Sequence, residues 1–185
     1  TGQITCAQLT STASVFAGLS AGNDKLGLIV TDAANVSQAM TMIAAVSSTT
    51  AITFQGGIED TVTNLKTKTT GGTDFDKLDS IVLNDGDVVI TISDADDATT
   101  TASDLSTIGG KTTGNVTVSN STAISGDSTA IVAALITDST KVAAATAKVT
   151  ITGTISSGTL IGHVATIAAA TTGKVTATVS GTAAQ

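Results

Sequence analysis

Aliphatic residues along this chain alternate between two rhythms. Short β-branched runs, in which apolar and hydroxyl side chains alternate, mark six strand candidates at 26–31, 51–55, 79–83, 115–119, 148–152 and 174–179. Between them apolar residues recur every three or four positions. Val36, Ala39, Met40, Ile43 and Val46 line one face of a helix, which Asp32 or Asn35 is placed to cap. Leu9, Ala13, Phe16 and Leu19 mark a first helix, and Ile58, Val62 and Leu65 a short one. Ile131, Ala134, Leu135 and Val142 mark a longer helix, and Leu160, Val164 and Ile167 a last one. Gly22, Gly71-Gly72, Gly109-Gly110 and Gly173 fall where left-handed residues close helices. Asn84-Asp85-Gly86-Asp87 lies between two aliphatic runs, a signal for one hairpin near residues 80–93.

Strands separated by helices cannot close as tight hairpins, so they pair in parallel through right-handed crossovers. The fold class expected is therefore α/β. An internal repeat sharpens it. Leu105-Ser106-Thr107-Ile108-Gly109-Gly110-Lys111-Thr112-Thr113-Gly114-Asn115-Val116-Thr117 returns as Val164-Ala165-Thr166-Ile167-Ala168-Ala169-Ala170-Thr171-Thr172-Gly173-Lys174-Val175-Thr176. Strand-like motifs starting at 90, 116, 149 and 175 are about 26, 33 and 26 residues apart, the spacing of solenoid coils. The expectation is one repeat-built domain over 1–185: a parallel βα solenoid of about six strand-helix units, sheet on one side and helices on the other. In that arrangement Ile29, Phe54, Val82, Val116, Val149 and Val175 are neighbours on parallel strands.

Composition fits a thin, closely spaced core. The chain has 185 residues, no Trp or Tyr and three Phe, and roughly a fifth of it is Thr. Proline is absent and the eight cations are all Lys. A net charge of −7 and a pI near 4.3 argue against nucleic acid, whose binding needs a basic surface, and against anionic lipid. No apolar run of eighteen residues suggests membrane insertion. A start at Thr1 without Met suggests a mature form or a piece of a longer chain. Cys6 stands alone, so no internal disulfide framework exists.

Candidate chemistry is sparse. His163 and Cys6 lack the partners of a hydrolytic triad or zinc site, and read as an ordinary helix residue and a small core or surface residue. No phosphate loop is present, since Gly109-Gly110-Lys111-Thr112 lacks the first glycine at the required distance. Gly71-Gly72-Thr73-Asp74-Phe75-Asp76-Lys77-Leu78-Asp79 approximates the calcium nonapeptide, and Gly22-Asn23-Asp24-Lys25-Leu26 its second half. Asp74, Asp76 and Asp24 are thus the candidate ligands for Ca²⁺, which accepts six to eight oxygens. Asp94, Asp96 and Asp97 form another acidic cluster, either a second cation site or a solvated turn.

The segments Val30-Thr31-Asp32-Ala33-Ala34-Asn35-Val36, Asp76 to Gly86 and Ile151-Thr152-Gly153-Thr154 resemble the degenerate repeats of large secreted bacterial surface proteins, the S-layer and RTX-type adhesins. The resemblance implies an extracellular structural or adhesive role, often supported by calcium, without enzymatic activity. A solenoid leaves a coil open at each end. Val175 and Val179 on the last strand run, with Ile4 and Leu9 at the other end, are the candidate self-association surfaces. The competing expectation is a ligand-binding fibre module for glycan or ice: Thr61-Val62-Thr63, Thr67-Lys68-Thr69, Thr150-Ile151-Thr152 and Thr176-Ala177-Thr178 supply the Thr-x-Thr pattern of an ice-binding face.

Overall fold

A computed structural model describes residues 2–5, 27–45, 51–155 and 158–180. The expected helix through Leu9 and Phe16, and the candidates Cys6 and Asp24, lie outside them. The chain folds as α/β with parallel sheets, in two compact units: Thr1–Thr91 with Lys111–Asn115, and Ile92–Gly110 with Val116–Gln185.

In the first unit, β1 (Gly2–Ile4), β2 (Leu28–Val30) and β3 (Ile52–Phe54) form a parallel sheet in that order. The alternation buries Val30, Ile52 and Phe54 and turns Thr53 outward. Ile29 faces Thr53, so Phe54 neighbours Val30 rather than Ile29. Helix α1 (Val36–Ala45) follows β2. Asn35 settles its capping: the Gln38 N–H donates to the Asn35 carboxamide and the Asn35 N–H to the Gln38 side chain, two first-turn donors satisfied reciprocally. A third goes to a remote group, as the Val36 N–H donates to the Asp60 carboxylate at 3.0 Å.

The segment 58–65, expected as one helix, is split. Ile58–Asp60 is strand β4 and Val62–Leu65 a single turn, α2, capped by the Thr61 hydroxyl. Residues 79–83, expected as a strand, belong to helix α3 (Asp76–Asn84), so no hairpin forms near 80–93. Leu78 and Ile81, three apart, are buried, whereas Leu83 is 87% exposed; a strand would have buried alternate residues. Val82 is therefore helical and does not join the strand neighbours. Asp85-Gly86-Asp87 leads from α3 into β5 (Ile90–Ile92).

The second unit holds β6 (Thr99–Thr101), α4 (Ala102–Gly109), β7 (Val116–Val118), β8 (Ala123–Gly126), α5 (Ser128–Leu135), β9 (Lys148–Ile155), α6 (Gly158–Ala170) and β10 (Val175–Val179). Helix α5 ends at Leu135, and Val142 reaches the core after a turn instead of extending it. A four-stranded parallel sheet runs in the order β10-β9-β8-β6. Val149 faces Val175 across it, as expected, but Val116 lies on β7, which is not one of its strands, so the expected single row of strand neighbours does not form. Ile124, Val149 and Ile151 point into the core, and α4 packs on α5 and α5 on α6. Buried Leu105, Ile108, Ile131, Leu135 and Ile167 are contributed by those helices.

Of the glycines expected in left-handed geometry, Gly71 adopts it with φ +80° in the turn beyond α2, Gly22 lies outside the described residues, and Gly109, Gly110 and Gly173 serve another purpose. Gly110, the C-cap of α4, has φ −79°, and Gly173 is not among the positive-φ residues. A Cβ on Gly109 would overlap the Thr140 carbonyl, and one on Gly173 the Ala147 carbonyl. These positions need glycine because another backbone lies against them.

Candidate assembly edge and acidic turns

The sequence repeat has a structural meaning that its residues alone did not disclose. In the first unit the buried Thr112 hydroxyl donates to the Val88 carbonyl at 2.8 Å and accepts from the Gly114 N–H at 2.9 Å. In the second, the buried Thr171 hydroxyl donates to the Ala147 carbonyl at 2.7 Å and accepts from the Gly173 N–H at 3.0 Å. The following threonines repeat as well: Thr113 hydroxyl and N–H reach the Gly86 carbonyl, and those of Thr172 reach the Ala145 carbonyl. Gly114 lies against the Asp87 and Val88 carbonyls as Gly173 lies against those of Thr146 and Ala147. Each Thr-Thr-Gly turn is thus a clamp onto backbone 24 to 27 residues earlier. The strand after it continues the contact: the Ile90 N–H donates to the Asn115 carbonyl, and the Val149 N–H to the Lys174 carbonyl.

The second clamp positions β10 at the rim of the four-stranded sheet. One edge of β10 pairs with β9, from Val175 opposite Val149 to Val179 opposite Ile155. No described strand pairs with its other edge. Val175 and Ala177 are half-buried and Val179 is 59% exposed; the exposed Lys174 is the one charge on the segment 174–180, and proline is absent. Charge, proline or a cover normally protects such an edge. Ile161, 53% exposed, adds apolar surface on α6. Of the other assembly candidates, Ile4 lies in β1, the rim strand of the first unit's sheet, opposite Val30. Leu9 is outside the described residues.

The acidic candidates already have partners. Both Asp76 oxygens are engaged by Thr69, one by its N–H at 2.8 Å and one by its hydroxyl at 2.6 Å. The Thr69 hydroxyl, followed by backbone N–H groups, holds the Asp76 carboxyl below the usual carboxylate range. Asp74 faces Lys66 at 3.7 Å and Lys68 at 3.9 Å. In the second cluster, Asp96 accepts from the Ser121 N–H, Asp97 pairs with Lys148, and the Asp94 carbonyl accepts from Asn120. Among the described residues no three His, Cys, Asp or Glu side chains gather as a metal-binding group. His163 Nδ1 lies 3.3 Å from the Ser128 hydroxyl.

Two buried carboxylates escaped the sequence reading. Asp60 caps α1 from a distance and also accepts from the Asn64 amide at 2.6 Å. Asp85 accepts the Phe54 N–H at 2.6 Å, so a side chain takes up a donor of β3. Burial, opposed by that N–H and reinforced by neighbouring Asp87, raises the Asp85 carboxyl above its ordinary value. Their pairing with residues 24 and 31 positions away is invisible to periodicity. The Thr-Thr-Gly clamp did carry a signal, since it is the best-preserved part of the repeat. An apolar groove of about 370 Å³ lies between α5 and α6, lined by Leu135, Val142 and Ala169, with Lys141 at its margin. None of the described helices is long and apolar enough to cross a membrane. No protein-family model, curated protein or solved structure matches the chain.

Proposed function

We propose that this chain is a non-enzymatic, extracellular structural module, a βα solenoid that associates with copies of itself into a surface filament, lattice or adhesive fibre. The observation that carries the reading is the Thr-Thr-Gly clamp. The same hydroxyl-to-carbonyl geometry occurs in both units, and strand registers step by similar intervals: Gly2 with Leu28, Leu28 with Ile52, Thr99 with Ala123 and Val175 with Val149. A unit that stacks on the one before it by backbone bonds extends by the same means. The open rim at β10 offers the place for extension. An acidic chain rich in Thr, Gly and Ala, with one cysteine, suits an oxidising exterior. Electron microscopy of the native material tests this reading. Ordered filaments or sheets support it, and dispersed single particles at every concentration refute it.

One observation favours a second reading. Thr101, Ser125, Thr150 and Thr176 stand opposite one another on four successive strands, and Thr154 opposite Thr178. Thr101, Thr150, Thr154, Thr176 and Thr178 are exposed. Hydroxyls at strand spacing, ~4.8 Å apart, form the kind of regular row that orders water on an ice lattice. Thermal hysteresis of the purified protein, lost in Thr150→Lys, would support an ice-binding face; freezing without hysteresis would remove it.

A further inference from the structure

Five residues at one end of the chain repeat the clamp-and-strand sequence. Thr113-Gly114-Asn115-Val116-Thr117 and Thr172-Gly173-Lys174-Val175-Thr176 have a third counterpart in Thr1-Gly2-Gln3-Ile4-Thr5. In the first two, glycine is required because a preceding backbone lies against it, and the next residue's carbonyl accepts an N–H from the preceding strand. The third matches them on its forward side. Ile4 pairs with Val30, 26 residues ahead, as Thr117 pairs with Ala143, also 26 ahead. Its backward side faces no described strand, because β1 is the rim of its sheet. The rim at β10 is the complementary surface: a turn and a strand already docked on what precedes them.

Resting on the self-assembly proposed above, we infer that β1 of one copy adds in parallel to β10 of a second copy, with Ile4 opposite Val175 and Gln3 opposite Lys174. The register follows from the internal interface. Val149 faces Val175 and its N–H donates to the Lys174 carbonyl. Advancing one coil, the Val175 N–H donates to the carbonyl of Gln3 in the added copy. Gly2 then lies against the turn carbonyls beside Gly173, where a larger residue cannot enter. The contact joins two different surfaces, so it propagates from copy to copy rather than closing a two-fold dimer.

The test uses the whole chain. In a Cys6→Ser background, Gln3→Cys with Lys174→Cys places two thiols on facing backbone positions, within the Cα range that a disulfide spans. Mild oxidation should give a ladder of dimers and higher species on a non-reducing gel. The slipped pair, Gln3→Cys with Thr176→Cys, should give at least tenfold less. Independently, Gly2→Val should raise the concentration needed for assembly, followed by light scattering, at least tenfold, with an unchanged circular dichroism melt. Assembly of the unmodified chain with equal cross-linking of both pairs, or with no effect of Gly2→Val, would overturn this register and leave self-assembly standing. A chain that stays monomeric and forms no ladder would overturn both.

Discussion

Replacing Thr171 by Val removes one oxygen and nearly preserves shape, so it isolates the clamp. The hydroxyl is buried, donates to the Ala147 carbonyl at 2.7 Å and accepts from the Gly173 N–H at 3.0 Å. Each such bond contributes about 0.5–1.5 kcal/mol net, and a buried group left without a partner costs about 1–3 kcal/mol. Valine forfeits both bonds and leaves the Gly173 N–H facing a methyl group, so the expected loss is about 2–4 kcal/mol. That is a large share of the 5–15 kcal/mol typical of a folded protein. Thr166→Val is the control: its hydroxyl bonds only to the Gly162 carbonyl one helical turn back and is exposed, so a change within about 0.5 kcal/mol is expected. Urea titration followed by far-UV circular dichroism measures both, the midpoint falling while the slope stays constant. If Thr171→Val lost no more than Thr166→Val, the clamp would be an incidental contact.

Further expectations concern single groups. Asp85 has a raised folded-state pKa, so its contribution is present below the unfolded value, ~3.9, and is lost as pH rises through the folded value. Asp85→Asn keeps an acceptor for the Phe54 N–H, so its melting temperature relative to wild type should rise with pH above 4; parallel pH profiles would contradict this. The Asp76 carboxyl is lowered, so its contribution has the opposite sign and fades as pH falls below the ordinary Asp range, a loss absent in Asp76→Asn thermal melts. The Thr122 hydroxyl is buried without a partner, so Thr122→Val should stabilise by about 1 kcal/mol in urea; a loss of stability would reveal a partner for it. Because Thr69 and two lysines already engage Asp76 and Asp74, melting with calcium and with chelator should coincide; a calcium-dependent rise abolished by Asp76→Ala would make this turn a cation site.

Much of the strand content was legible because β-branched residues alternate with threonine on half-buried strands, as at Val149-Thr150-Ile151 and Val175-Thr176-Ala177. Ile81-Val82-Leu83 misled for the same reason. Its composition favours a strand, yet burial at Leu78 and Ile81 follows helical spacing, and tertiary packing overrode propensity. Strand β6 could not be seen at all, since Thr99, Thr100 and Thr101 offer no contrast in polarity although Thr100 is buried. The rim at β10 was legible from a strand run with a single charge, Lys174, and no proline. The Thr-Thr-Gly turn stood out as the best-preserved part of the repeat, but nothing in it records which carbonyls it meets.

Sedimentation velocity over a hundredfold range of concentration decides whether copies of this chain associate through the β10 rim. Wild-type chain should grow in mass in steps of its 18.0 kDa unit, while the double variant Val175→Lys, Val179→Lys, with two charges on the β10 rim, should hold the mass of one chain. A wild-type chain that sediments as a single unit throughout, or a charged variant that assembles equally well, would rule out assembly through this rim.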